Sequence, residues 1–206
     1  MKKHIAGYCL LAALSSAIAW GQKPKLAQKI DDFLHVKFET GFAVLNNGDT
    51  LSGKFEFNDS QQNYRLLVHL DTISYSKKAF KPNEVAYFAL NKNLYAPHLS
   101  KADGLVFMRV LLQDSLKIYQ HKHFYSSYTG SDFLNEFYCV KPTGQELVVS
   151  TASDFPFIAS TTRFFSDYPG LCYLIRKKKY GKKDLYKIGL IYNDWLRKRT
   201  PGGIDQ

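Results

Sequence analysis

The densest chemistry in this sequence lies near its C-terminal end. Arg176, Lys177, Lys178, Lys179, Lys182 and Lys183 form one group of cations, and Arg197, Lys198 and Arg199 form a second. Charge of one sign at this density attracts phosphate, carboxylate or sulfate groups. It is also localised. Between Lys23 and Thr162, fifteen Lys/Arg stand against fourteen Asp/Glu, whereas between Arg163 and Arg199 eleven stand against three. The stretch from Arg163 to Arg199 therefore carries a net +8 (11 − 3) of the chain's formal +10. Cations near helix C-termini interact favourably with the macrodipole, so part of this pattern is capping or a solvated face. The functional alternative is an anionic partner: a lipid headgroup, an acidic glycan or an acidic protein. Each Lys or Arg beside an anionic bilayer contributes about 1 kcal/mol.

Other constellations are sparser. His121 and His123 are two apart on an expected strand, so both imidazoles leave the same face. Zn²⁺ would need further ligands, which His98 or Asp114 would have to supply after folding. The other reading is two surface histidines beside Lys122 and Tyr125, and no metal or other cofactor is expected. There is no Gly-x-Ser-x-Gly elbow, P-loop or dinucleotide fingerprint. Scattered carboxylates leave one enzymatic alternative, a hydrolase of envelope polymers with an acidic pair across a cleft. Cys139 and Cys172 either pair in an oxidising compartment or act as separate buried hydrophobes; a chain this long builds a core without a staple. Tyr119, Phe124, Tyr125 and Tyr128 lie around one loop, as a ring platform or as cross-strand packing.

The first residues set the expected compartment. Met1-Lys2-Lys3-His4 is basic, and Ile5 to Ala19 is apolar with small residues at its end. This is the pattern of a secretory leader over residues 1–21. The protein is expected to be exported, to the periplasm, the outer membrane or the exterior, and nucleic acid is then not an expected partner. A membrane-spanning helix needs about 20 apolar residues, so no transmembrane segment is expected in the mature chain. Cys9 sits inside the apolar run, without the context a lipid anchor requires.

Residues 22–200 read as one domain, with a tail at 201–206 after Pro201-Gly202-Gly203. Lys25 to Leu34 has helical spacing. From about residue 36 to 152 the period is two. Asn47-Gly48 predicts a type I′ hairpin turn, and Gly53 on the return strand predicts a bulge or bend. Strand runs follow at Tyr64–Leu70, Thr72–Phe80, Glu84–Leu90, Leu94–Ala96, Leu105–Leu112, Ser115–Tyr125, Phe133–Val140 and Gln145–Thr151. The run at 105–112 reads as buried on both faces. Lys141-Pro142-Thr143-Gly144 reads as a turn. Helices are expected over about 158–198, with Pro169 in a first turn. The last, from about Lys183 to Arg197, carries a Leu185/Ile188/Tyr192/Trp195 stripe. Gly189 within it costs roughly 1 kcal/mol against alanine, which close packing on the sheet would explain.

Gly41-Phe42-Ala43-Val44-Leu45-Asn46-Asn47-Gly48-Asp49-Thr50-Leu51-Ser52-Gly53-Lys54, the Phe80-Lys81-Pro82-Asn83-Glu84-Val85 step and the Phe164-Phe165-Ser166-Asp167-Tyr168-Pro169 … Tyr192-Asn193-Asp194-Trp195 close together resemble a family of small secreted proteins of Bacteroidota, largely without assigned function. The resemblance implies a β-rich exported protein and no catalytic residues. The sequence thus points to an α+β fold: a mainly antiparallel sheet (curled sheet, sandwich or partly open barrel) with two or three C-terminal helices packed on it. The expected function is a non-enzymatic binding or structural module of the envelope.

Overall fold

Hydrophobic alternation becomes one sheet of ten antiparallel strands. The computed structural model describes residues 38–57, 65–71, 73–74, 76–127, 130–152 and 155–199, with backbone alone at 123–127 and 130–133. The leader, the 25–34 helix and the 201–206 tail lie outside the described residues. The strands are β1 (Glu39–Leu45), β2 (Thr50–Glu56), β3 (Leu67–Leu70), β4 (Lys77–Phe80), β5 (Val85–Leu90), β6 (Asn93–Ser100), β7 (Gly104–Gln113), β8 (Lys117–Ser127), β9 (Gly130–Val140) and β10 (Glu146–Ser150). Their order is β10-β9-β8-β7-β6-β5-β1-β2-β3-β4. β1 to β4 run as a meander to one edge. β5 then returns to the free side of β1, and a second meander runs to β10.

Turn chemistry explains this order, though not where the sequence places it. The β1–β2 loop is not type I′. Gly48 N–H donates to the Leu45 carbonyl (3.0 Å), and Leu45 N–H to that of Asp49 (2.8 Å). Of the loop residues only Gly48 has positive φ (+90°). This is a type I turn with Gly48 in the left-handed position. Asn47 Oδ1 accepts the Asp49 N–H (3.0 Å), while Asn46 Nδ2 donates to the Asn83 carbonyl (2.7 Å). These side-chain bonds favour the three-residue loop. The two-residue turn with both φ positive lies at Asn91 (47°) and Lys92 (67°), between the paired Leu90 and Asn93. The bulge expected at Gly53 is not there, since the β1–β2 register is continuous through it. Register shifts occur at Val44/Leu45 and at Val110/Leu112. β6 extends beyond Ala96 through Pro97 to Ser100. Its pairing with β5 ends at Tyr95, so the missing Pro97 N–H interrupts no ladder on that side.

The sheet curls without closing. Phe57, just past β2, packs on Phe88 (4.9 Å), Tyr95 (4.9 Å) and Phe107 (5.9 Å) of β5, β6 and β7. Four ladder steps separate β2 from β7, roughly 19 Å in a flat sheet. The same face buries Ala43, Phe55, Leu67, Phe80 and Leu90 as an aromatic-rich core. On the opposite face His98 of β6 reaches Glu146 of β10 at 2.8 Å, again across four steps. The two ends of the sheet therefore bend in opposite senses. β7, where they meet, is buried on both faces only at Val106, Phe107 and Met108; Leu105 is 42% exposed.

Three helices cover the β7–β10 end: α1 (Phe157–Phe164), α2 (Pro169–Arg176) and α3 (Leu185–Arg199), the last preceded by a 3₁₀ turn at Lys182–Asp184. Leu171, Cys172, Ile175, Leu185, Ile188 and Tyr192 pack on Leu116, Ile118, Cys139 and Val149. Pro169 occupies the first turn of α2, where its absent donor costs nothing. Gly189 meets the sheet closely: a Cβ there would lie 2.7 Å from Ile118 Cδ1 and 2.8 Å from Leu112 Cδ2. Asn193, buried, clamps the β7–β8 turn. Its Oδ1 accepts the Leu116 N–H (2.6 Å), and its Nδ2 donates to the Leu116 carbonyl (3.2 Å). Cys139 and Cys172 are both buried and unpaired.

Asn193→Ala strands two buried backbone groups, each worth about 1–3 kcal/mol. Urea unfolding should show a loss of about 3 kcal/mol, and a loss below 0.5 would refute the clamp (an order-of-magnitude expectation). Cys139 and Cys172 should both react with Ellman's reagent in the unreduced protein under denaturant, and neither readily in the folded state. Zero reactive thiols in denaturant would mean a disulfide.

Candidate functional site

The helices are positioned by a buried cation, Lys141, in a segment whose sequence predicts only a turn. Lys141 follows β9, and its side chain is 7% exposed. Its Nζ donates to the Phe164 carbonyl at the end of α1 (2.6 Å) and to Asp167 Oδ1 in the α1–α2 connection (2.8 Å). The rings of Phe164, Tyr192 and Phe165 lie 4.9, 5.2 and 5.9 Å from the ammonium. Tyr192 of α3 donates its hydroxyl to Asp167 Oδ2 (2.5 Å). Burial opposes ionisation of Asp167, but the hydrogen bonds from Lys141 and Tyr192 outweigh it and hold its carboxyl below the usual range. Burial, and then the Asp167 carboxylate, pushes the Tyr192 phenol well up. One cation thereby ties the sheet to α1, to the α1–α2 connection and, through Asp167, to α3.

On this base sits the α2–α3 connection, with six of the nine cations singled out in the sequence. Arg176, Lys177, Lys178, Lys179 and Lys183 are exposed. Among the described residues, Arg176, Lys178, Lys179 and Lys183 make no side-chain hydrogen bond or ion pair. Lys177 lies over the Tyr173 ring at 5.7 Å. Lys182 is committed inward, donating to the Ala152 carbonyl and lying 5.5 Å over Phe155. The backbone here ends α2 in a Schellman arrangement: Lys179 N–H donates to the Leu174 carbonyl (3.0 Å) and Lys178 N–H to that of Ile175 (2.9 Å). Lys178 takes the left-handed position, φ +57°, where glycine is the usual occupant. Exposed Tyr173 (58%), Tyr186 (50%) and Leu190 (43%) stand on the same two helices.

The structure does not bring the second basic group to the first. Arg197 lies fourteen residues along α3 from Lys183, about 21 Å at helical rise. Its three cations are also engaged internally. Arg197 pairs with Asp114 (2.9 Å), Lys198 with Asp194 four residues earlier (2.7 Å), and Arg199 covers the Trp195 ring (4.8 Å). Trp195 in turn stacks on Tyr168, ring centroids 4.6 Å apart.

The histidines are placed on the other face of the sheet, in the trough of the second curl. His121, buried, bonds Asp103 Oδ2 through Nε2 (2.8 Å). His98 bonds Glu146 (2.8 Å), stacks on Tyr119 (4.5 Å) and meets Tyr138 edge-on (5.3 Å). The Tyr138 hydroxyl donates to Glu136 (2.8 Å) and contacts Ser100 Oγ at 3.3 Å. Burial pushes that phenol up to about 12. His98 and Asp114, the ligands the metal reading needed, go elsewhere: His98 to Glu146 and Asp114 to Arg197. His123 lies on β8 with its side chain outside the described set. Among the described residues no group of three His, Cys, Asp or Glu side chains is arranged to hold a metal. The sequence carried no signal for the His98–Glu146 and His121–Asp103 contacts, because they join residues remote in the chain.

Asp167 has a depressed folded-state pKa, so its contribution to stability is present above the unfolded value near 3.9 and is lost as pH falls through the folded one. Urea midpoints should therefore fall between about pH 5 and pH 2 in the wild type, and Asp167→Asn should flatten this fall while lowering stability at neutral pH. An unchanged acid limb in the variant would remove Asp167 from the argument. Compared with known proteins, the chain matches no protein-family model, no curated protein and no solved structure at a significant level.

Proposed function

We propose that the protein is an exported, non-enzymatic binding module of the cell envelope, and that the α2–α3 connection is its docking surface for an anionic partner. The observation that carries this reading is Lys178. A non-glycine residue in the left-handed region costs about 1–2 kcal/mol, and strain of this kind concentrates at functional positions. A lysine stands where glycine would relieve the strain, in the middle of a basic group whose cations are exposed and, among the described residues, largely uncommitted.

Lipid headgroups are the partner favoured here. Tyr173, Tyr186 and Leu190 are exposed beside these cations, and tyrosine with lysine is the composition of a membrane–water interface. Docking would be peripheral: among the described residues no helix is long and apolar enough to cross a membrane. Export rests on the leader pattern at residues 1–21. The hydrolase alternative would have to draw on the trough, where Glu136, Glu146 and Asp103 are each bonded to a Tyr or His side chain.

Lys178→Gly separates stability from binding. It should raise unfolding free energy by about 1 kcal/mol and weaken salt-sensitive sedimentation with anionic vesicles by about fivefold. Neutral vesicles should not sediment the protein. Equal binding to neutral vesicles, or undiminished binding by the glycine variant, would overturn the proposal. Binding to heparin without binding to vesicles would keep the basic surface and replace the lipid with an acidic glycan.

A further inference from the structure

A second surface with its own chemistry lies where the first curl brings the β3–β4 edge toward β7. Arg65, Leu66, Lys81, Pro82, Asn83 and Leu105 line an open groove of about 410 Å³, within the range of about 300–1,000 Å³ typical of small-ligand sites. Both charged lining residues are cations. Arg65 donates from Nη2 to the Asp103 carbonyl (2.7 Å), which anchors the guanidinium; among the described residues its other N–H groups make no hydrogen bond. The Asp103 carboxylate itself bonds His121. Lys81 is anchored by its backbone, whose N–H the Glu84 carboxylate accepts (2.7 Å). Among the described residues its ammonium has no hydrogen bond or ion pair.

Apart from Asn83, the remaining wall is apolar. Leu66 is 37% exposed and Leu105 42%. Leu99, paired with Leu105 across β6–β7, is 65% exposed. A leucine surface beside two cations complements a molecule with one anionic head and one hydrocarbon chain. A guanidinium presents a planar fork that suits a carboxylate or phosphate head. We propose that this groove binds a single-chain anionic amphiphile, its head between Arg65 and Lys81 and its chain along Leu66, Leu105 and Leu99. The site is independent of the α2–α3 surface.

A fluorescent fatty acid titrated into the purified protein tests this, with displacement by decanoate, decyl phosphate and decanol. The probe should bind at one saturable site and be displaced by either anion, their relative potency telling carboxylate from phosphate, with decanol at least tenfold weaker. Lys81→Gln should weaken the probe at least fivefold, and Leu105→Asn should do so without touching the charge. Lys178→Gly should leave probe affinity unchanged even if it abolishes vesicle binding. No saturable binding, displacement by decanol as potent as by decanoate, or unaltered affinity in both groove variants would overturn the proposal.

Discussion

The Lys141 ammonium, enclosed between the Asp167 carboxylate, the Phe164 carbonyl and three aromatic rings, is the constraint on which the helical layer depends. A buried charge costs several kcal/mol unless it is paired and hydrogen-bonded. Lys141 meets that condition only when the end of α1, the α1–α2 connection and α3 all stand where they do. The apolar contacts of Leu171, Ile175, Ile188 and Tyr192 with the sheet supply most of the burial, but such contacts are non-directional. The ion pair and the Asn193 clamp at Leu116 are directional, and they select one docking among those the hydrophobic stripe would allow.

Opposed curvature of the sheet gives its two halves different interiors. The first curl gathers Phe57, Phe88, Tyr95 and Phe107 into an apolar core. The second draws His98, Tyr119, Tyr138 and Glu146 together. Pairing His98 with Glu146 and the Tyr138 hydroxyl with Glu136 makes polar groups tolerable there, since an unmade bond in the same place would cost about 1–3 kcal/mol. Curvature also brings Arg65 and Leu66 toward Leu105 and so creates the basic groove.

The positive charge of the C-terminal third divides into structural and available portions. Lys182, Arg197, Lys198 and Arg199 are held by internal partners. Arg176, Lys178, Lys179 and Lys183 project from a connection whose backbone would accept glycine more comfortably than lysine. A charge count alone treats these cations as equivalent, but geometry does not.

Period-two alternation from about residue 36 to 152, the helical stripe of Leu185, Ile188 and Tyr192, Pro169 at a helix start and the close approach of Gly189 to the sheet were all legible in the sequence, because each follows from spacing along a single element or from a residue's local steric needs. The α+β class and the antiparallel sheet follow from them, whereas curled sheet, sandwich and partly open barrel all remained compatible with the pattern. Turn type was less legible: Asn47-Gly48 has the composition of a type I′ turn, yet the bond from Asn46 to Asn83 and the Asn47–Asp49 pairing draw it into a three-residue loop, while Asn91-Lys92 took the primed conformation. Only the tertiary structure decided that Lys141 is buried, that His98 meets Glu146 and His121 meets Asp103, and that the two basic groups sit at opposite ends of α3. These depend on distances between residues remote in the chain, which curvature and helix docking set and which no local pattern encodes.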